Sequence, residues 1–228
     1  MSGNLYIVST PIGNLGDVTF RSLEILKDVD CIACEDTRVT KKLLNHYNIK
    51  SKLIIYNDIN ECKVMDNIVK LIVNGKNIAL VSDAGTPCIS DPGYRLVNNC
   101  YKNNIEVLSV PGPSSVVSAL SISGLPTDSF YFSGFLPRKK GRSTKFEVLS
   151  EISSTIIIFE SPYRILKTLK DIYKFMGNRV ISLCKEITKI HENVYYGYVE
   201  EIIDDLEKNT NIKGEFVILI AKEGYIIK

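Results

Sequence analysis

The sequence predicts an α/β protein whose N-terminal half forms a mostly parallel sheet and whose C-terminal half is mixed α+β. Three observations predict this class. In the first half, short apolar segments of strand length alternate with segments of helical periodicity, as in strands joined by crossover helices. Residues 111–115, Pro-Gly-Pro-Ser-Ser, then interrupt this alternation. Beyond them, apolar segments at 180–184 and 194–199 are joined by a short connection, which favours an antiparallel hairpin.

Length and composition are those of an ordinary globular protein. The chain has 228 residues, 45% of them hydrophobic and 24% charged, so it can form one large domain or two smaller ones. Its net charge of +2 does not by itself indicate a nucleic-acid partner. No apolar run approaches the roughly 20 residues of a membrane helix, and residues 1–8 resemble a strand rather than a signal peptide. We therefore expect a cytoplasmic protein with no membrane partner.

The first half contains five expected strands with helices between them. The helix expected at 61–74 carries Val64, Ile68, Leu71 and Ile72 on one face, which suits a helix packed on a sheet. The strands are expected at 5–9, 29–34, 53–56, 78–82 and 105–110, and the other helices at 19–27, through 41–46 and after Pro92.

The segment 111–115 is the predicted domain boundary, because its prolines and glycine stop a strand and Pro113 and Ser114 suit the first turn of a helix. The predicted domains are residues 1–112 and 113–228. In the second, strands are expected at 130–133, 155–159, 180–184, 194–199 and 215–221, with helices near 143–151, 163–175 and 200–208.

Cys31 and Cys34 have the spacing of a redox or zinc half-site, but the pattern favours a structural role. They lie within an apolar strand, and residues three apart on a strand face opposite ways. No second cysteine pair completes four ligands. We expect no metal site and, in a reducing compartment, no disulfides.

The segment after the strand at 78–82 predicts a floor for a small ligand. Asp83 places a carboxylate where the chain leaves the sheet, and Gly85 allows backbone angles that other residues avoid. The chain has neither a Gly-rich phosphate loop with its lysine nor a dinucleotide fingerprint, so the ligand is expected to be neutral or positive on this side. The alternative is a plain strand-to-helix turn, with Asp91 or Pro92 starting the next helix.

Four strand ends in the first half carry unusual residues, and parallel strands would bring all four to one edge of the sheet. The pattern therefore predicts a pocket at that edge. The segments are 9–16, 35–38, the loop from Ser82 to Pro87, and 111–115.

The segment 35–38, Glu-Asp-Thr-Arg, places two carboxylates and a guanidinium within one turn. Glu35 or Asp36 could accept a proton, and Arg38 could hold a phosphate. The alternative is that Asp36 or Thr37 caps the next helix while Glu35 and Arg38 form an ion pair.

The segment 138–145 contains five cations and no acid, in a chain whose charges are otherwise nearly balanced. Such a cluster is expected at a nucleic-acid backbone, and a solvated loop is the alternative. The cations are Arg138, Lys139, Lys140, Arg142 and Lys145.

Taken together, the order and spacing of these segments resemble the ribosomal RNA small subunit methyltransferase I family, within the tetrapyrrole-methylase superfamily. The resemblance runs from Leu5 to about Ala221, which is nearly the whole chain. It is carried by the segments 10–17, 33–38, 80–87, 89–95, 111–115, 123–128, 134–137, 160–164 and 185–189.

The resemblance implies a function that the residues alone do not. The implied donor is S-adenosylmethionine, held in a cleft between two domains of a tetrapyrrole-methylase-like fold. The implied acceptor is a cytidine ribose 2′-hydroxyl in small-subunit (16S) rRNA, as free RNA or in the 30S subunit, and the implied assembly is a homodimer. A tetrapyrrole methyltransferase of the same superfamily is the main alternative, and an inactive binding module is the other.

The resemblance also implies roles for individual residues. Glu35, Asp36 and Arg38 become the candidate catalytic residues, and the cations of segment 138–145 become the candidate RNA contacts. The candidate donor contacts are Pro11, Asp83, Ala84, Gly85, Thr86, Pro111, Ser114, Ser115 and Ser161.

Overall fold

The computed structural model describes residues 2–208 and 212–227. Met1 and Lys228, the outermost residues of the two predicted domains, lie outside the described residues. The chain divides into two compact units, Met1–Ser114 and Ser115–Lys228. This division falls slightly beyond the predicted boundary after residue 112.

The first unit is built on a five-stranded sheet in which all neighbouring strands are parallel, in the order β3-β2-β4-β1-β5. The prediction of a mostly parallel sheet is confirmed. Its elements are β1 (Leu5–Val8), α1 (Phe20–Asp28), β2 (Cys31–Cys34), α2 (Thr37–His46), β3 (Lys52–Ile55), α3 (Glu61–Val73), β4 (Ile78–Val81), α4 (Tyr94–Lys102) and β5 (Val107–Val110).

Two hydrophobic cores cover the two faces of this sheet. One joins the sheet to α3 and α4 and includes Cys31 and Leu80. The other joins it to α1 and α2 and includes Cys34 and Val81. Burial on both faces explains why β2 and β4 are continuously apolar. The two cysteines therefore face opposite ways, as the strand alternation predicted.

The helix after β4 starts later than either predicted residue. It begins at Tyr94 with Gly93 as its N-cap, so the predicted helix after Pro92 is confirmed, and the alternative in which Asp91 or Pro92 starts it is wrong. Gly93 has φ +141°, and a Cβ at this position would lie 2.6 Å from Cys88 Sγ and 2.8 Å from a Leu80 methyl carbon. Only glycine allows this backbone conformation and this close approach.

The second unit contains a mixed five-stranded sheet in the order β6-β7-β10-β8-β9. The β6–β7 pair is parallel and the other pairs are antiparallel, including the predicted hairpin of β8 and β9. Its elements are α5 (Ser115–Ile122), β6 (Phe130–Phe135), α6 (Arg142–Ser150), β7 (Thr155–Glu160), α7 (Ile165–Met176), β8 (Val180–Lys185), β9 (Asn193–Tyr198), α8 (Val199–Glu207) and β10 (Phe216–Ile220).

Helices α6, α7 and α8 bury one face of this second sheet. Their apolar side chains, such as Phe146 and Leu169, pack against strand residues such as Ile158 and Ile218. Helix α5 packs against β10. Within residues 2–208 and 212–227, no helix combines the length and the apolarity that crossing a membrane requires.

We predict that Gly93→Ala lowers the free energy of unfolding by about 3 kcal/mol, because the new Cβ combines a steric overlap with backbone strain. Gly141→Ala is the matched control, since Gly141 also has positive φ (+78°), in the left-handed helical region, but no atom within 4 Å of a Cβ. The control should lose only about 1 kcal/mol. Urea unfolding of both variants measures the difference, and equal losses would contradict the steric argument.

Candidate functional site

The loops that follow β1 and β4 are joined by a pair of reciprocal backbone hydrogen bonds. The Thr10 amide donates to the Gly85 carbonyl at 2.9 Å, and the Gly85 amide donates to the Thr10 carbonyl at 3.0 Å. The Thr10 hydroxyl also donates to the Ser82 carbonyl at 3.2 Å. Gly85 adopts φ +79°, which favours glycine at this position. The loop therefore has a fixed backbone course.

A threonine hydroxyl joins the loop after β5 to the other two. Thr86 Oγ1 lies 2.9 Å from Ser9 Oγ and donates to the Pro113 carbonyl at 3.2 Å. Close packing reinforces this link, because a Cβ on Gly112 would lie only 3.0 Å from Ser9 Cβ. The loops after β1, β4 and β5 thus form one continuous shelf at the carboxyl edge of the sheet. We call these joined segments, residues 9–10, 82–86 and 112–113, the loop shelf. The prediction that these strand ends lie together is confirmed.

Asp36 caps α2, as the alternative interpretation predicted. Its Oδ1 accepts a hydrogen bond from the Arg38 amide at 2.8 Å, and the Arg38 guanidinium donates to its Oδ2 at 2.6 Å. These hydrogen bonds lower the pKa of Asp36 to about 2. The predicted Glu35–Arg38 ion pair is wrong, because Arg38 pairs with Asp36 instead.

Asp83 connects the loop shelf to the segment after β2. Its Oδ1 accepts a hydrogen bond from the Asp36 amide at 3.0 Å. Burial raises the pKa of Asp83, and this backbone donor opposes the rise. The carboxylate that sequence analysis placed at the end of β4 therefore lies beside the Glu35–Asp36 segment.

Glu35 is half-buried among other carboxylates. Burial and, in smaller measure, the negative charges of its neighbours together raise its pKa from 4.5 to about 6; in order of effect, these neighbours are Asp83, Asp91, Asp58 and Asp36. Asp36 and Glu35 are therefore neighbours in sequence whose pKa values lie well apart. A carboxylate with a pKa near neutrality is suited to accept a proton at physiological pH.

Two carboxylates of this cluster were missed by sequence analysis. Asp91 was treated only as a possible helix start, yet burial raises its pKa to about 6 and Asp83 and Asp58 contribute. Asp58 follows β3, a fifth strand end that was not counted among the unusual ones. An acidic residue soon after a parallel strand was the signal that could have identified it.

An open cleft of about 560 Å³ lies beside four carboxylates, those of Glu35, Asp36, Asp58 and Asp83. Its acidic lining favours a ligand with positive charge. The lining also includes one cation, Arg38, whose side chain is 87% exposed. Among the described residues, no group of three or more His, Cys, Asp or Glu side chains is arranged to hold a metal ion. The cleft is lined by Glu35, Asp36, Thr37, Arg38, Ile55, Asn57, Asp58, Ile59 and Asp83.

The other predicted donor contacts divide between the two units. Pro11, Ala84, Pro111 and Ser114 lie on or beside the loop shelf and are half-buried or exposed. Ser115 is the first residue of α5, and Ser161 follows β7, so both belong to the second unit.

The predicted RNA-contact cations do not form one uniform group. Arg138, Lys139 and Lys140 are exposed in the loop after β6. Lys145 lies on α6 with its ammonium 5.4 Å from the centroid of the Tyr131 ring.

Arg142 differs from all of these because it is buried. Its guanidinium donates to Asp171 at 2.8 Å, to the Thr168 hydroxyl at 2.8 Å and to the Pro137 carbonyl at 3.1 Å. These bonds engage Arg142 inside the fold, so the prediction that it contacts RNA is corrected.

Residues 4–203 match the family model described as Tetrapyrrole (Corrin/Porphyrin) Methylases. The chain belongs to this family. It is 48% identical over 223 residues to the "Ribosomal RNA small subunit methyltransferase I" of Halalkalibacterium halodurans, covering 97% of this chain and 77% of that one. The protein of the same name from Thermotoga maritima is 47% identical over 221 residues, covering 97% and 100%. The resemblance inferred from the motifs is confirmed.

Solved structures show the same fold at low sequence identity. Uroporphyrin-III-C-methyltransferase from Thermus thermophilus superposes with a TM-score of 0.67 and 17% identity, covering 96% of this chain and 94% of that one. A cobalt precorrin-4 methyltransferase gives a TM-score of 0.70 at 19% identity, with the same coverage. At these identities the likeness establishes the tetrapyrrole-methylase fold and nothing about the acceptor.

We predict that Glu35→Gln stabilises the protein above pH 6 and has no effect on stability below about pH 4.5. The folded-state pKa of Glu35, about 6, exceeds its ordinary value of 4.5, so ionised Glu35 opposes folding. That penalty appears as pH rises from 4.5 to 6, and the glutamine removes it. The expected gain at pH 8 is roughly 1 kcal/mol once solvent screening is allowed for.

Asp36→Asn is the control, because its expected effect on stability is opposite to that of Glu35→Gln. The lowered pKa of Asp36 stabilises the fold above its ordinary value of 3.8, and this contribution is lost as pH falls toward 2. The variant should therefore be less stable than the parent at neutral pH. Urea unfolding from pH 2 to 8 measures both effects, and a pH-independent Glu35→Gln difference would contradict the assignment.

Proposed function

We propose that this chain is an S-adenosylmethionine-dependent methyltransferase that methylates the ribose 2′-hydroxyl of a cytidine in small-subunit ribosomal RNA. The observation that carries this proposal is the acidic cleft at the carboxyl edge of the first sheet, where Glu35 and Asp83 lie beside the loop shelf. The family and the names of the relatives at 47–48% identity support the methyltransferase and its rRNA substrate. The cytidine ribose is our more specific inference.

The residues present fit the proposed donor. The carboxylates of Glu35, Asp83 and Asp91 give the edge a negative potential that suits a cationic ligand. Ala84 and Gly85 leave the loop shelf without bulky side chains. The donor supplies an electrophilic methyl group on a positively charged sulfur. We propose that residues 83–86 hold it, with Pro11, Pro111, Ser114, Ser115 and Ser161 as further contacts.

The protein's contribution to the chemistry is to position a hydroxyl and to receive its proton. A ribose hydroxyl is a poor nucleophile until that proton leaves, so a nearby base is required. Glu35 is the candidate, because Asp36 is held ionised by Arg38 and already caps α2. The exposed guanidinium of Arg38 is available to orient an RNA phosphate.

The direct test uses 30S subunits that lack their own cytidine ribose methylation. Labelled methyl transfer from S-adenosylmethionine, followed by mass spectrometry of the nucleosides, should yield 2′-O-methylcytidine. A different methylated nucleoside would overturn the ribose assignment. Methylation of a porphyrinoid acceptor without methylation of 30S subunits would favour the tetrapyrrole alternative. Homodimerisation and a cytoplasmic location remain predictions.

We predict that Glu35→Gln reduces kcat by about a hundredfold or more while leaving donor affinity within about threefold, because it removes the proton acceptor but not the loop shelf. Glu24→Gln is the control, since Glu24 is an exposed acid on α1. Single-turnover methyl transfer and calorimetric titration with the donor separate the two effects. Normal turnover by Glu35→Gln would remove Glu35 from the chemistry.

We predict that replacing Arg138, Lys139 and Lys140 together by Ala weakens RNA binding. The plot of log affinity against log salt should become less steep by about 2, because three phosphate contacts are lost. The control replaces three exposed lysines at the amino edge of the first sheet: Lys27, Lys50 and Lys102. Binding titrations from 50 to 300 mM salt measure the slope. An unchanged slope would make the segment a solvated loop.

A further inference from the structure

A tight turn after β7 exposes an aromatic ring. The Arg164 amide donates to the Ser161 carbonyl at 3.1 Å, which places Pro162 and Tyr163 at the two central positions. Tyr163 is 96% exposed. Its ring makes no hydrogen bond or aromatic contact within the described part of the chain. A single exposed aromatic residue is common on protein surfaces and does not by itself indicate a binding site. The residues around Tyr163 are therefore decisive.

The neighbourhood is the basic loop after β6. Strands β6 and β7 are parallel neighbours, so the loops that follow them leave the sheet at the same edge. The loop after β6 carries Arg138, Lys139 and Lys140, all exposed and without an ion-pair partner among the residues that the structure describes. An exposed ring and three free cations therefore occupy adjacent loops.

A buried ionic network holds these two loops together. Glu160, which is 2% exposed, accepts hydrogen bonds from the Ser161 amide and from the Arg164 guanidinium, each at 2.7 Å. The Thr168 hydroxyl donates to its other oxygen at 2.6 Å.

The same network reaches the base of the basic loop. Arg164 donates to the Leu136 carbonyl at 3.1 Å, and Arg142 donates to the Pro137 carbonyl at 3.1 Å. Arg142 also donates to the Thr168 hydroxyl at 2.8 Å. The turn that carries Tyr163 and the loop that carries the cations are thus fixed to the same buried carboxylate.

We propose that Tyr163 stacks on an unpaired base of the RNA whose backbone the cations of the adjacent loop contact. Positive side chains next to an exposed aromatic ring are the combination that binds single-stranded nucleic acid, because charge holds the phosphates and the ring holds the base. The network supplies rigidity, so little ordering is needed when RNA binds. This inference rests on the proposed function and adds a residue that the basic loop alone does not identify.

The chain offers a direct optical test because it contains no tryptophan. Tyr163→Trp introduces a single indole at the tip of the turn, and a base that stacks on it should quench its fluorescence. Tyr173→Trp is the matched control: Tyr173 is partly exposed near the far end of α7, away from the carboxyl edge of β7. The probe is an RNA hairpin with unpaired cytidines in its loop. We expect saturable quenching for Tyr163→Trp and none for Tyr173→Trp.

Affinity measurements complete the test. Tyr163→Ala should weaken hairpin binding about tenfold without changing the salt slope, since the lost ring is uncharged. Tyr163→Phe keeps the ring and should bind within about twofold of the parent. A fully paired duplex offers no unpaired base, so Tyr163→Ala and the parent should bind it equally.

The outcomes separate this inference from the proposed function. If the parent chain binds the hairpin and methylates 30S subunits while Tyr163→Ala binds equally well, the stacking role is overturned and the proposed function stands. Unquenched fluorescence of the Tyr163→Trp variant would have the same meaning. If the parent chain neither binds the hairpin nor methylates 30S subunits, both proposals are overturned.

Discussion

The parallel hydrogen bonding of the first sheet is the constraint on which its candidate site depends. Because all five strands are parallel, the segments that follow them leave the sheet at one edge, and the order β2-β4-β1-β5 places four of these segments side by side. The Thr10–Gly85 hydrogen bonds and the Thr86 hydroxyl then fix three of those segments to one another. The fourth joins them through the Asp36 amide and the Asp83 carboxylate. An antiparallel arrangement would have sent these residues to opposite edges.

Gathering acids at one edge has an electrostatic consequence. Each carboxylate there loses water and gains negative neighbours, and both changes raise its pKa. The pKa of Asp36 is lowered instead, because this residue pairs with Arg38 and caps a helix, and Glu35 makes neither interaction. Adjacent residues thereby differ in pKa: Asp36, with a pKa of about 2, stays ionised, whereas Glu35, with a pKa of about 6, titrates near neutral pH.

The local pattern predicted most of the fold and part of the site. Strand-length apolar runs and helical periodicity identified the parallel sheet, the mixed sheet and the hairpin, and the helix-capping role of Asp36 followed from its residue type. Long-range partners were not predictable in this way. Arg142 looks like any other cation of its segment, yet Thr168 and Asp171, far along the chain, turn it inward. Likewise, the close approach of Cys88 and Leu80 to Gly93, the N-cap of α4, was not predictable from the local pattern.

In the second unit, parallel neighbouring strands likewise bring two loops to one edge of a sheet, but the charges there are positive. In its described sheet, the parallel β6–β7 pair carries the exposed cations and Tyr163 on neighbouring loops. Glu160 pairs directly with Arg164, and Thr168 links it to Arg142, which pairs with Asp171. Because a buried ion pair contributes little net stability, we infer that this network serves mainly to hold those loops in one arrangement. Under the proposed function, the acidic edge of the first sheet would hold the cationic donor, and the basic loop after β6 would hold the anionic acceptor. The net charge of +2 averages these two surfaces, which is why composition alone indicated neither.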